Sequence, residues 1–252
     1  MKISVITLFP DMISGFFNES ILKRAQEKKL VEIEVVNLRD FALDSYGTVD
    51  DRPYGGGAGM VMRADVLGAA INKVKDSSSK VILTSAKGNQ FVQKKAKELS
   101  QLDHIVIIAG HYEGVDERVM EYVDEEMSIG DYVLTGGEIP AAVIIDSVVR
   151  LLPGVLKKNS ATEEESFYHI SVNELIDVVG ETEILGRLRK SNIEFVQLLE
   201  YPQYTRPEEF EGKKAPEELL SGNHEQIRKY RLKRSYEETK TKRPDLLDIN
   251  TQ

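Results

Sequence analysis

The sequence contains no cysteine. That excludes disulfides, thiolate metal sites and a thiol nucleophile, and it fits a reducing cytoplasm. Only four histidines are present, none in an H-E-x-x-H or similar spacing, so the chain offers no metal motif. No apolar run approaches the roughly 20 residues that cross a bilayer. The opening MKISVITLFP has no small-residue cleavage pattern and reads as a first strand, not a signal peptide. The loop Gly55-Gly56-Gly57-Ala58-Gly59 is not followed by Gly-Lys-Ser/Thr, so it is no Walker loop. Nor does it follow a strand and open a helix, as a dinucleotide fingerprint must. No G-x-S-x-G nucleophile elbow occurs.

What is present is a globular composition: 252 residues, 41% hydrophobic and 30% charged. Such a chain holds one large domain or a core domain with a smaller one. The net charge of -9 argues against a polyanion partner, but its distribution does not. From Lys213 to Arg243 ten Lys/Arg face five Glu, so this segment is +5 and the remainder -14. A basic tail on an acidic body points to local contact with nucleic acid; the competing reading is a solvated helix.

Periodicity predicts strands over Lys2 to Leu8, Val31 to Val36 and Val81 to Leu83, and a fully buried strand over Ile105 to Ala109. Helices are expected from Pro10, over Glu19 to Lys28, Ala64 to Lys75, Gln90 to Leu99 and Pro140 to Leu152. This alternation predicts a three-layer α/β fold with a mostly parallel sheet. A further strand is read from Ser128 to Leu134. Three apolar strands then run into small or polar loops, after Leu83, Ala109 and Leu134. If these ends are neighbours, they converge on one ligand pocket. Beyond residue 160 the character changes to a linker and a small helical domain, with Asn223 capping a helix from His224 to about Glu238.

Several longer stretches are specific. They are Ile6 to Pro10 (ITLFP), Thr48 to Met60 (TVDDRPYGGGAGM), Tyr112 to Val119 (YEGVDERV), Asp124 to Pro140 (DEEMSIGDYVLTGGEIP), Ile145 to Leu156, Tyr204 to Pro207 and Leu219 to His224. In these the chain resembles the bacterial tRNA (guanine-N(1))-methyltransferases of the TrmD type, in the SPOUT superfamily. The resemblance implies a SPOUT-type α/β domain with a C-terminal trefoil knot over residues 1–160, a linker with an apparent insertion over 161–198, and a helical tRNA-binding domain over 199–252. It implies a cytoplasmic homodimer with no membrane segment. Its activity would be transfer of a methyl group from S-adenosylmethionine to ring nitrogen 1 of guanosine 37, with magnesium as a further requirement for which no motif is seen. The alternatives are a SPOUT methyltransferase with another target nucleotide and a cofactor-binding RNA module without catalysis.

Carried over by position, the cofactor pocket would comprise Thr84, Ser85 and Ala86, then Gly110, Tyr112, Glu113 and Gly114. Ser128, Ile129, Gly130, Asp131, Tyr132, Val133 and Leu134 follow, with Gly136, Gly137 and Pro140. Ring nitrogen 1 carries a proton, so methylation needs a base and a cation for the charge that develops on the carbonyl oxygen. The matching positions are Glu165, where the family has Asp, and Arg150. On residues alone, Thr162-x-x-Glu165 also fits a capping box, and Arg150 fits a helix-surface ion pair with Asp146. His111 stands where the family usually has Arg. Residues Tyr168 to about Phe195 look inserted, either as a peripheral elaboration or as a lid. Arg206, Lys213, Lys214, Arg228, Lys229, Arg231, Lys233 and Arg234 become candidate phosphate contacts on the anticodon arm. The Asp50 to Tyr54 loop would help hold the guanine or the partner subunit.

Overall fold

The computed structural model describes residues 1–157 and 165–249. The chain divides into two compact units, Met1–Asn159 and Ser160–Gln252.

The first unit is built on β1 (Lys2–Thr7), α1 (Pro10–Phe17), α2 (Ser20–Glu27) and β2 (Glu32–Asn37). A two-residue ribbon, β3 (Asp50–Asp51) with β4 (Val61–Met62), precedes α3 (Ala64–Val74). Then come β5 (Ser79–Gln90), α4 (Gln93–Leu99), β6 (His104–Ala109), β7 (Glu125–Ser128) and α5 (Glu138–Val149). The main sheet has the order β2-β1-β6-β5-β7, and each neighbouring pair is parallel.

Alternation along the two central strands explains the layers. Ile3 and Val5 of β1, with Ile105 and Ile107 of β6, point to one face, where α1, α2, α4 and α5 cover them. Ile6, Val106 and Ile108 point to the other, against Val66, Leu67 and Ile71 of α3. A strand covered on both faces has no polar side, which is why β6 reads as a continuous apolar run. Each such side chain contributes about 1.5–3 kcal/mol by leaving water.

Several boundaries differ from the sequence expectation; the short strand expected over Val81 to Leu83 is β5, Ser79–Gln90. The strand expected over Ser128 to Leu134 is β7, ending at Ser128; residues 129–134 form an irregular loop in which Val133 is 88% exposed. The apolar character of that loop belongs to its surface, not to a ladder. The helix expected from Gln90 begins at Gln93, because β5 continues to Gln90. β5 leaves the ladder after Thr84 and rejoins β7 at Asn89.

The second unit is not solely helical. It contains an antiparallel ribbon, β8 (Tyr168–Ser171) with β9 (Phe195–Leu198), enclosing α6 (Val172–Val179) and α7 (Glu183–Lys190). A short ribbon, β10 (Glu209–Phe210) with β11 (Lys213–Lys214), then precedes α8 (Glu217–Leu220) and α9 (His224–Lys242). The linker expected over 161–198 is thus a folded β-α-α-β element across its described part from residue 168. Val172, Leu175, Leu185, Leu188, Val196 and Leu198 pack with Leu232, Tyr236 and Leu247 in one cluster. Alternating apolar residues on β9 and amphipathic spacing on α6 and α7 supply half of a core whose other half is α9. Thr182 caps α7 and shares a hydrogen bond of 2.8 Å with the Tyr236 hydroxyl, while Asn223 caps α9 by accepting from Glu225 N and Gln226 N.

Candidate functional site

Parallel strands of an open sheet end in loops at one edge, and those loops make the crevice in which such sheets bind ligands. Here the C-terminal ends of β5, β6 and β7 are adjacent, and their loops line a cleft of about 250 Å³. Thr84 closes β5. Its hydroxyl donates to Ile108 O at 3.1 Å and accepts from Gly110 N at 3.3 Å, tying two strand ends together. The loop before α5 is pinned to the same point, since Gly137 N donates to Gly110 O at 2.7 Å and Gly136 bridges His111. A Cβ on Gly137 would overlap Thr84 Oγ1 and lie 2.6 Å from Gly110 N, so no side chain fits there.

The glycine loop of residues 55–59 packs against this wall. Gly59 has φ +86°, and a Cβ there would collide with the Glu113 side chain. Glu113 N donates to Met60 O at 3.1 Å, and Met62 N donates to Gly114 O at 3.0 Å. Asp116 secures the far side of the loop. Arg118 donates to it from its backbone N, Nε and Nη2 at 2.7–3.0 Å. That side-chain pairing, with the backbone bond, holds the Asp116 carboxyl down at about 2.

The cleft brings together Thr84, Ser85, Ala86, Gly110, Tyr112, Glu113, Gly114, Ser128, Ile129, Gly130, Tyr132, Val133, Leu134, Gly136, Gly137 and Pro140. Asp131, grouped with them in sequence, is exposed and does not line it. Lys87, His111, Glu117 and Glu126 also line it and were not singled out as pocket residues. Glu117 and Glu126 sit in charged stretches that look like ordinary surface. Glu138 was also passed over, although it is fully buried at the start of α5. A lone Glu at a helix N-terminus carries no sequence signal of burial.

Arg150 caps the C-terminus of α5 in the first unit and is half-buried. Glu165 opens the described part of the second unit, also half-buried, with its carbonyl accepting from Tyr168 N at 3.1 Å. The capping-box partners Ser160, Thr162, Glu163 and the neighbouring Glu164 lie outside the described residues. Among the described residues no group of three or more His, Cys, Asp or Glu is placed to hold a metal ion.

The basic helix is more self-neutralised than its sequence suggests. Arg228 pairs with Glu174, Lys229 with Glu225 at 2.7 Å, Arg234 with Glu237 and Glu238, and Lys242 with Glu238 at 2.5 Å. The Arg231 guanidinium lies 4.7 Å from the Tyr201 ring centroid. Lys233 and Lys240 are exposed and take no part in these pairs.

Fold and cleft together define a parallel α/β ligand-binding protein whose site is built from three strand-end loops. Comparison with known proteins narrows this class. A family model described as tRNA (Guanine-1)-methyltransferase TrmD matches residues 1–249. A tRNA (guanine-N(1)-)-methyltransferase of Dictyoglomus turgidum is 50% identical over 98% of this chain and 90% of its own length. Enzymes of the same name from Syntrophomonas wolfei (48% identical, 98% and 90% covered) and Bacillus cereus strain AH820 (46%, 98% and 92%) are also similar. The chain belongs to the TrmD family of tRNA methyltransferases.

Proposed function

We propose that this protein methylates ring nitrogen 1 of the guanosine at position 37 of tRNA, with S-adenosylmethionine held in the cleft at the ends of β5, β6 and β7. The observation that carries this is the convergence of those three loops in a chain that matches the family over residues 1–249. The lining suits that cofactor. Its lining combines glycines at 110, 114, 130, 136 and 137 with apolar side chains such as Leu83, Ile129, Leu134 and Pro140 and with the polar Ser85 and Ser128. Glu113, Glu117 and Glu126 outnumber Lys87 among its charges, which favours a cationic sulfonium over a phosphate. When bound, S-adenosylmethionine supplies an electrophilic methyl group, so no covalent enzyme intermediate is required.

The protein must then manage one proton and one developing negative charge. Glu165 is the proposed base that accepts the proton of ring nitrogen 1, and Arg150 the cation that stabilises charge on the neighbouring carbonyl oxygen. Glu keeps the carboxylate of the family's Asp on a longer arm. Lys233 and Lys240 of α9, exposed and outside its ion pairs, are proposed with Arg206 and Lys213 to meet tRNA phosphates. The proposed trefoil knot falls in the segment whose returning loop packs Gly136 and Gly137 against Gly110 and His111.

A homodimer is part of the same reading. Met12 and Phe16 on α1, with Ile139 and Val143 on α5, are spaced to share a helix face and are 39–48% exposed; Phe9 beside them is 39% exposed. An apolar surface of this kind is what a second copy would cover. No described helix is long and apolar enough to cross a membrane, and a cytoplasmic location is proposed with the tRNA substrate. Magnesium, which takes one or two carboxylates together with substrate phosphates, is part of the same proposal.

The test is methylation of two transcripts differing only at position 37. Guanosine should accept one methyl group at ring nitrogen 1 and adenosine none. Equal labelling of both, or labelling of neither, would overturn the assignment. Labelling elsewhere in the RNA would instead favour a different target nucleotide.

A further inference from the structure

Among the described residues of the first unit, two side-chain polar atoms stand buried without a hydrogen-bond partner, and both lie beside the cleft: Glu138 Oε2 and His111 Nδ1. Glu138 is fully buried at the first turn of α5, where the helix dipole favours a negative charge. Its Oε1 accepts from Thr7 Oγ1 at 2.8 Å, and Thr7 Oγ1 in turn accepts from Phe9 N at 2.9 Å. The carboxylate is therefore anchored to the end of β1 with one oxygen left over. An interior carboxylate oxygen calls for a donor.

The geometry names that donor. A Cβ built on Gly136 would overlap Glu138 Oε2 and lie 2.6 Å and 2.8 Å from His111 Cδ2 and Nε2. The free oxygen and the imidazole edge thus face each other across the space that the missing Gly136 side chain leaves. A half-turn of the ring about its Cβ–Cγ bond puts Nδ1 where Cδ2 stands. That turn keeps the ring plane, and with it the packing of the ring against Phe9 and Tyr112 at 4.9 Å. It turns the unpartnered Nδ1 toward the side of the ring on which the unpartnered Oε2 lies.

We infer that His111 and Glu138 form a positioning pair, with Nδ1–H donating to Oε2, that fixes the wall of the methyl-donor cleft. Tyr112, held at φ +59°, and Glu113 follow His111 directly, so the ring's orientation sets where these two cleft residues stand. Neither member of the pair touches the reacting atoms; both act through the loop of residues 110–114. The role in cofactor binding rests on the proposed function, whereas the pair itself does not.

The first test needs neither cofactor nor RNA. Histidine ring nitrogen shifts, read by NMR on the folded full-length chain, should show His111 as the Nδ1–H tautomer. In Glu138→Gln the amide oxygen keeps the Thr7 bond and the NH2 group faces the ring, so His111 should switch to Nε2–H. A carboxylate that merely supports the fold would lower Tm and leave the tautomer unmoved; an identical ring state in both proteins overturns the pair. The second test is calorimetry with S-adenosylmethionine. Glu138→Gln and His111→Ala should each weaken binding about tenfold, and the double variant no more than either alone, because they remove one shared interaction. Tm recorded alongside identifies any variant that fails to fold. Losses that multiply to about a hundredfold would overturn the coupling. A wild-type protein that does not bind S-adenosylmethionine would sink the proposed function and the cleft role, while the tautomer experiment would still judge the pair.

Discussion

In the first unit the side chains of β1 and β6 divide between two apolar clusters, one on each face of a parallel sheet. In the second unit a single cluster gathers residues as far apart in sequence as Val172 and Leu247. The first arrangement leaves three strand ends side by side, and the cleft follows from sheet order. The second has no comparable set of converging strand ends. It presents instead a long helix whose cations are mostly answered by its own carboxylates or by Glu174. The cleft belongs to the first unit, and the proposed RNA contact and the proposed base fall to the second.

That assignment can be broken most decisively at Glu165. Glu165→Gln is expected to lower kcat by about 10²–10⁴-fold, while S-adenosylmethionine binding measured by calorimetry stays unchanged. Retained activity would move the base elsewhere, with Glu164 the next residue to test. Gly137→Ala makes the converse cut: its Cβ collides with Thr84 Oγ1, and cofactor affinity should fall at least about tenfold, with single-turnover chemistry at saturating cofactor less affected.

Leu188→Ala sharpens the contrast in stability. It empties part of the second unit's core and should cost about 2–5 kcal/mol in denaturant unfolding. Cofactor binding by the first unit should survive. If binding and the second unit's signal disappear together, the two units do not behave independently. A smaller effect is expected on charge. Lys233→Ala with Lys240→Ala should weaken tRNA binding and reduce the slope of log affinity against log salt by about 1–2, whereas Arg228→Ala, already paired, should change the slope less.

The smallest effect concerns Asp116. Its folded carboxyl titrates at about 2, below the usual value of 3.8, because Arg118 hydrogen-bonds the ionised form. The stabilisation is therefore present above about pH 4 and is lost as pH falls through about 2. Denaturant curves at pH 5 and pH 2.5 should show wild type losing more stability than Asp116→Asn over that interval.

Much of the first unit was legible because its signals are local. The apolar run Ile105 to Ala109 can be buried only on both faces, and Gly136 and Gly137 before Pro140 mark close approaches that a side chain would block. The break after Thr84 was readable only in part: small and polar residues interrupt the apolar run, yet β5 continues to Gln90 and rejoins β7 at Asn89. The second unit was less so. Tyr168 to Leu198 looked like an insertion into a linker because its apolar residues match nothing nearby; their partners are Leu232, Tyr236 and Leu247, far along the chain. The loop of residues 129–134 looked like a strand because Ile129, Tyr132, Val133 and Leu134 are apolar, yet the ladder stops at Ser128.

By itself, then, the sequence determined the alternation of strands and helices, the glycine-marked loops at the strand ends and the placing of positive charge near the C-terminus. These follow from periodicity and composition within a few residues. Only the tertiary structure decided which strand ends are neighbours, that Arg228 of α9 is paired with Glu174, and that Glu138 and His111 both border Gly136. Such pairings join residues tens of positions apart, and only packing brings them within reach of a hydrogen bond or an ion pair.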